Sequence, residues 1–148
     1  MNLQIRNAQQ NELEDLLDLY QHLHTSDAPL PDGPILRQVW SEFLSDPKVY
    51  CLVADVNAEI VASCVLVVIP NLTRGARPYG LIENVVTHAA HRRKGIAIQL
   101  LRQALQVAWS KNCYKVMLLT GSKREEIHSF YEKAGFVKGD KTGFVAKP

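Results

Sequence analysis

The order of predicted elements indicates a mixed α/β fold, built as a single domain on a central, mostly antiparallel sheet flanked by helices. Apolar residues recur at helical spacing in several segments, and short β-rich runs alternate with those segments. Two β-rich runs, residues 50–56 and 59–69, are separated only by Asn57 and Ala58, which predicts an antiparallel hairpin. Strands that alternate with helices favour a layered α/β domain.

The composition limits the classes of protein to which this chain can belong. The chain has 148 residues, which suits one domain, and its 47% apolar and 22% charged content is ordinary for a globular protein. A net charge of +2 argues against a nucleic-acid partner, and no apolar run has membrane-spanning length. No signal-peptide pattern is present, so we expect a cytoplasmic protein. The cysteines lack zinc spacing, so we predict buried free thiols and no metal.

The first half of the chain predicts a strand, two helices and the hairpin. Leu3 and Ile5 alternate with polar residues, as in a strand half exposed to solvent. Residues 13–23 and 35–44 carry apolar side chains at helical spacing, and a loop rich in proline and aspartate joins them. Residues 70–78 form a second predicted loop after the hairpin.

The second half predicts strand, helix, strand, helix and a final hairpin. Residues 81–87 are apolar and β-branched, and a helical pattern starts at Ile96. Residues 114–120 are almost continuously apolar, which predicts a central strand covered on both faces. Residues 124–134 predict a helix that ends at Gly135, and residues 136–145 predict a hairpin around a polar turn.

A basic turn joins the strand at residues 81–87 to the following helix. The start of a helix exposes unpaired N–H groups and the positive end of its dipole, and Arg92, Arg93 and Lys94 add charge there. Gly95 lets a ligand approach the backbone closely, and Ala97 keeps the first turn thin. The turn therefore predicts a pyrophosphate site. A solvated basic loop that only caps a core helix remains the alternative.

Two motifs resemble the GCN5-related N-acetyltransferases. Arg92-x-x-Gly95-x-Ala97 is similar to the Arg/Gln-x-x-Gly-x-Gly/Ala signature that binds the pyrophosphate of acetyl-coenzyme A in that family, and Phe130–Phe136 reads Phe-Tyr-Glu-Lys-Ala-Gly-Phe. The resemblance implies one acetyltransferase domain over residues 1–148 that uses acetyl-coenzyme A. It assigns the cofactor-binding role to Arg92, Arg93, Lys94, Gly95, Ile96 and Ala97.

The resemblance also implies contacts for the pantetheine arm of the donor. Backbone groups of Val85, Val86 and Thr87 would run beside that arm, and a backbone N–H there would face the thioester oxygen. Many family members carry an Asn seven residues before the motif tyrosine, where this chain has Arg124. That difference moves the expected contact to Ser122 or Ser129.

Tyr131 and Glu83 are the candidate catalytic residues. Tyr131 matches the family's usual acid, and a neutral phenol can protonate a leaving thiolate; the alternative is a core aromatic on an amphipathic helix. Glu83 lies within an apolar run, where burial would make its carboxylate a stronger base, and some family members use an acidic residue there through water. The alternative is a structural or solvent-facing Glu83.

Two arginines and the histidines complete the candidate set. Arg74 and Arg77, and again Glu83, are predicted to contact an acceptor, although solvated loop cations are an equal alternative. We expect the histidines to face solvent. The pattern around Glu83 and near Tyr131 is loosely similar to glucosamine-6-phosphate N-acetyltransferases.

We therefore predict an enzyme that transfers the acetyl group of acetyl-coenzyme A to the primary amine of a small molecule by direct attack in a ternary complex. A non-catalytic domain that senses acyl-coenzyme A or docks a protein is one rival, and a transferase acting on a protein amine is another. We expect neither a nucleic-acid nor a membrane partner, and a homodimer is left open.

Overall fold

The computed structural model describes residues 1–148, and at its centre lies one sheet of five strands. The strands follow one another across the sheet in chain order, β1 to β5. The first four pair antiparallel and β5 runs parallel to β4. Their bounds are β1 Leu3–Asn7, β2 Val49–Val56, β3 Glu59–Ile69, β4 Tyr79–Thr87 and β5 Val116–Leu118. The predicted mixed, mostly antiparallel sheet flanked by helices is confirmed.

Helices cover both faces of the sheet because each presents one apolar stripe. The first two pack on one face around Leu16, Leu19 and Trp40, and the long fourth helix and the fifth pack on the other face around Leu100, Leu101 and Ala134. Their bounds are α1 Leu13–Tyr20, α2 Gly33–Ser45, α3 Thr73–Ala76, α4 Ile96–Ser110 and α5 Glu125–Ala134. Short 3₁₀ turns lie at Gln10–Glu12 and Ala89–His91. No helix combines the length and the apolar character needed to cross a bilayer.

One ion-pair cluster ties the first helix to the sheet. Arg6 on β1 donates to both carboxylate oxygens of Glu12 at 2.8 Å and to Asp55 on β2 at 3.0 Å. Glu12 is buried, and the Arg6 guanidinium holds the pKa of its carboxyl below its usual value. The pair fixes the point at which the chain leaves β1 and enters α1.

Two local predictions are borne out in detail. The β2–β3 hairpin turns at Asn57 and Ala58, both with positive φ (53° and 70°), which suits a tight two-residue turn. All three cysteines are free and buried, and burial raises the pKa of Cys51 to about 11 and of Cys64 to about 12.

Two expectations about the last third of the chain are wrong. Residues 114–120 do not form a central strand: β5 has only three residues and lies at the edge of the sheet. The predicted final hairpin is absent, since residues 136–148 form turns and coil, and Val137, Phe144 and Val145 are exposed. The two apolar pairs are too short to anchor a hairpin across the polar residues between them. The predicted loop at residues 70–78 is largely exposed, and the short α3 within it is a single turn with positive φ at Arg74, Gly75 and Ala76.

Candidate active site

Strand β4 leaves its partner β5 part-way along its length. The two strands pair only from Gly80–Val116 to Ile82–Leu118, whereas β4 continues to Thr87 and keeps its pairing with β3. Beyond Ile82 one edge of β4 is therefore without a neighbouring strand. A free edge presents backbone N–H and C=O groups that an extended, amide-containing ligand can pair with.

A β-bulge lies where that free edge begins. Val65 pairs with Glu83 and Ser63 pairs with Val86, so Cys64 alone faces two residues of β4, Asn84 and Val85. Asn84 has φ of 54°, a left-handed conformation that Asn adopts more readily than most residues. Sequence reasoning missed Asn84. The available signal was an Asn inside an apolar β-rich run, where Asn is disfavoured.

The basic turn after β4 has the geometry of an anion site. Gly95 has φ of 76° and caps α4, and the first intrahelical bond joins Gln99 N–H to the Gly95 carbonyl. The N–H groups of residues 96–98 consequently have no protein acceptor. A Cβ built on Gly95 meets nothing within 4 Å, so the space in front of this backbone is open to a phosphate. Arg92, Arg93 and Lys94 are exposed beside it.

The Arg92 side chain has two backbone partners. Its Nε donates to the Thr87 carbonyl at 3.2 Å, and its Nη2 donates to the His22 carbonyl at 3.1 Å. The guanidinium therefore bridges the end of β4 and the end of α1. Its other N–H groups and its charge stay available to an anion.

Helix α5 begins close to this basic turn. The pKa of the Glu126 carboxyl is lowered by a hydrogen bond from the backbone N–H of Glu126, by the contact with Arg124 and by the charge of Arg93. Arg124 donates to Glu126, and its N–H donates to Oγ of Ser122 at 3.3 Å. Ser122 thus lies in the segment that leads into α5, with its hydroxyl engaged by the backbone of Arg124.

Tyr131 lies on α5, on the side that packs against the core. Its half-buried ring contacts Phe130 and Phe136 edge-on, at centroid distances of 4.9 and 6.4 Å. Burial and, to a lesser extent, the Cys64 thiol raise the pKa of the phenol. Tyr131 packs against the same core cluster as Cys64 and Val85. Tyr131 is therefore a core aromatic whose phenol stays protonated.

Glu83 does not occupy the apolar site that the sequence suggested. Its side chain is exposed and makes neither a hydrogen bond nor an ion pair, and Asn84 beside it is exposed as well. The bulge explains this, because it breaks the alternation that would otherwise turn one of two successive side chains inward. The expected burial of Glu83 is therefore wrong, and the solvent-facing alternative holds.

The two predicted acceptor arginines lie near the first residue of β4, about 25 Å along the strand from Thr87 at 3.3 Å per residue. Arg77 donates to the Asn112 and Cys113 carbonyls at 3.3 and 3.2 Å, so it joins its loop to the end of α4. Arg74 is exposed and sits 5.9 Å from the Tyr114 ring centroid.

The histidines are less exposed than expected. Only His24 is fully exposed; His22, His88, His91 and His128 are half-buried. The His22 and His88 rings are 4.1 Å apart, and Nδ1 of each accepts a backbone N–H, from Ala89 and Ala90 respectively. No group of three or more His, Cys, Asp or Glu side chains could hold a metal ion.

A sequence model of the acetyltransferase (GNAT) family matches residues 13–136. The chain belongs to this family. The matched range contains the basic turn, the β4 bulge and the helix that carries Tyr131. The protein is therefore an acetyltransferase, and the non-catalytic rival loses its support.

Individual GNAT relatives cover almost the whole chain. A glucosamine 6-phosphate N-acetyltransferase from Trypanosoma brucei brucei is 32% identical over 139 residues, 92% of this chain and 90% of the relative. A putative acetyltransferase from Agrobacterium tumefaciens strain C58 has 43% identity, with a TM-score of 0.91 over 98% of this chain and 99% of that one. The crystal structure of a transcriptional regulator from Bacillus halodurans C-125 has 27% identity and a TM-score of 0.86, covering 99% of each chain.

Proposed function

We propose that this GNAT enzyme transfers the acetyl group of acetyl-coenzyme A to the primary amine of a small molecule. The observation that carries the proposal is that the free edge of β4, from the bulge at Asn84 to Thr87, leads through one 3₁₀ turn to the open backbone at Gly95. This path offers strand-edge groups for amides at one end and helix N–H groups for phosphates at the other.

The donor half of the site consists mainly of backbone groups. The N–H groups of residues 96–98 and the charges of Arg92, Arg93 and Lys94 would hold the pyrophosphate. Val85, Val86 and Thr87 would pair with the pantetheine arm, with Ser122 as a further polar contact. Bound acetyl-coenzyme A would supply the activated acetyl group as a thioester.

The chemistry requires that one proton leave the amine and that another reach the departing thiolate. Tyr131 would give a proton to the thiolate, and its phenol is protonated at neutral pH because burial raises its pKa. Glu83 is solvent-exposed next to the bulge, so it would take the amine proton through water. The N–H groups released by the bulge would stabilise the oxyanion.

Direct attack in a ternary complex is favoured because the site lacks a usable protein nucleophile. Cys64, the thiol that faces the bulge, is fully buried, and burial raises its pKa to about 12. A thiol of that kind forms little thiolate at neutral pH, so it is a poor acceptor for an acyl group. The amine itself would therefore attack the acetyl carbon.

Glucosamine 6-phosphate is the first acceptor to test, because a relative with 32% identity carries that name. Arg74 is exposed and has a cation available for an acceptor phosphate or carboxylate.

We place the reaction in the cytoplasm. A measurement of the enzyme's mass in solution would show whether it is a monomer or a homodimer.

The test is a panel of amines with acetyl-coenzyme A, followed by release of free thiol. The panel holds glucosamine 6-phosphate, glucosamine, an aminoglycoside, a polyamine and a lysine peptide. Turnover with a small amine supports the proposal. Turnover confined to the peptide assigns a protein acceptor instead, and coenzyme A binding without any turnover contradicts the proposed acceptor class.

A further inference from the structure

Residues 21–32, which join α1 to α2 and are called here the α1–α2 segment, have few attachments to the rest of the protein. From Thr25 to Pro31 every residue is exposed, and the one hydrogen bond within that stretch is local, from Ala28 N–H to Asp27. The segment becomes anchored again only at Asp32, which caps α2 by accepting from Ile35 N–H at 3.1 Å. Its position therefore depends on how its first residues are held.

The N–H groups of residues 21–24 donate to carbonyls of α1, and Leu23 packs against the core beneath it. Three further contacts join the start of the segment to the residues that follow β4, and all three involve His22. The His22 carbonyl accepts from Nη2 of Arg92 at 3.1 Å, and its Nδ1 accepts from Ala89 N–H at 3.3 Å. Its ring lies 4.1 Å from that of His88. Each partner belongs to the stretch between the end of β4 and the basic turn.

Arg92 reaches further, because its Nε also donates to the Thr87 carbonyl, the last residue of β4. One planar guanidinium thus joins two carbonyls that are 65 residues apart in the chain. Such a fork has a fixed geometry that an ammonium group does not reproduce. Loss of the Nε donor would release the Thr87 carbonyl of β4, and loss of the Nη2 donor would release the His22 carbonyl of the α1–α2 segment.

The segment also borders the approach to the proposed reaction site. Helices α4 and α5 cover one face of the sheet, and α1 and α2 cover the other. The donor would occupy the free edge of β4 and the N-terminus of α4. An acceptor must then arrive from the side of α1 and α2, past the segment that joins them.

We propose that Arg92 is a positioning residue that clamps the α1–α2 segment to the end of β4. The clamp fixes the position of the acceptor entrance relative to the donor site. This role rests on the proposed function and adds to the charge that Arg92 offers a pyrophosphate. It implies that donor and acceptor sites share one side chain, which acts on the acceptor through the His22 carbonyl.

Arg92→Lys separates the two roles, because it keeps the charge and removes the fork. Because Arg92 also belongs to the proposed pyrophosphate site, coenzyme A affinity is measured by calorimetry on the same variant, and with the charge kept we expect it to fall by less than the acceptor KM rises. Amide hydrogen exchange at residues 22–24 should become about tenfold faster, the change that corresponds to the loss of one hydrogen bond of ordinary net strength. The acceptor KM should rise several-fold, while the KM for acetyl-coenzyme A changes little.

Two further variants make the result specific. Arg102→Lys is the matched control, since Arg102 also donates from Nη2 to a carbonyl, that of Lys133 at 3.1 Å, but joins α4 to α5. It should leave exchange at residues 22–24 unchanged. His22→Ala keeps its carbonyl and removes the Nδ1 acceptor and the ring contact, so it should loosen the same residues without affecting coenzyme A affinity.

The outcomes distinguish the clamp from the proposed function. Unchanged exchange at residues 22–24 in Arg92→Lys overturns the clamp, whatever the kinetics. Weaker coenzyme A binding with unchanged exchange would make Arg92 a donor contact only. If no amine is acetylated by the unaltered protein, the proposed acceptor class fails, yet the exchange measurement still decides whether the clamp exists.

Discussion

Gly95→Val tests the pyrophosphate site most directly. Gly95 has φ of 76°, and a side chain there meets no protein atom within 4 Å. The variant should therefore fold, at a cost of about 2 kcal/mol for a left-handed, β-branched residue. For a chain of this size that loss lowers Tm by about 4–8 °C. The new side chain would occupy the space in front of the unpaired N–H groups of α4, so we expect coenzyme A to bind at least about a hundredfold more weakly, or about 2.7 kcal/mol.

Gly139 provides the matched control. It has φ of 81°, also lacks any atom within 4 Å of a built Cβ, and lies in the C-terminal turn rather than in the basic turn. Gly139→Val should lose similar stability and keep its coenzyme A affinity. Calorimetric titration of both variants, with thermal melts to confirm folding, gives the comparison. Full affinity in folded Gly95→Val would refute the site, and equal loss in both variants would point to general destabilisation.

The other predictions concern chemistry and stability. Tyr131→Phe keeps the ring and removes the proton, so kcat should fall by about 10²–10⁴ with coenzyme A affinity retained; unchanged turnover would exclude Tyr131 as the acid. Glu83→Gln should lower kcat/KM at neutral pH and recover at alkaline pH, where the amine is already deprotonated; a pH profile like that of the original protein would exclude Glu83 as the base. Arg74→Ala should raise the acceptor KM and not that for acetyl-coenzyme A, and no change in either makes Arg74 a surface charge. Glu12→Gln should cost about 3 kcal/mol in urea unfolding at pH 7. Because the pKa of Glu12 is lowered in the fold, this contribution is present above the ordinary carboxyl pKa of about 4.3 and is lost as pH falls through the lowered value, so the difference between the two proteins should shrink as the pH is lowered below about 4.3; a constant difference would contradict that account.

The parts of the site that depend on adjacent residues could be predicted from sequence. The basic turn is one example, since an apolar strand, Gly95 and a helical pattern from Ile96 together specify where unpaired N–H groups must lie. The hairpin at Asn57 and Ala58 is another. In both cases the deciding physics is the conformational preference of a few consecutive residues.

The features that depend on distant partners could not be predicted in the same way. An apolar run such as residues 114–120 gives no information about how many neighbours its strand has, and β5 proved to be an edge strand. The exposure of Glu83 depends on the bulge at Asn84, which appears only when β4 is aligned against Cys64 on β3. The Arg92 contact with His22 joins residues 70 positions apart. Sequence spacing carries no signal for such a pair.

The active-site opening follows from two independent interruptions of pairing on β4. On one edge, pairing with β5 stops at Ile82, which exposes backbone groups; on the other, the bulge at Asn84 breaks the register with β3. Neither interruption alone would open a site for a ligand. A free edge without a bulge would keep its N–H groups in the regular alternating pattern, and a bulge beside a paired edge would leave no room for a ligand. Because the two coincide within a few residues, we expect the chemistry at this position of β4 rather than at the basic turn, where only the phosphates would bind.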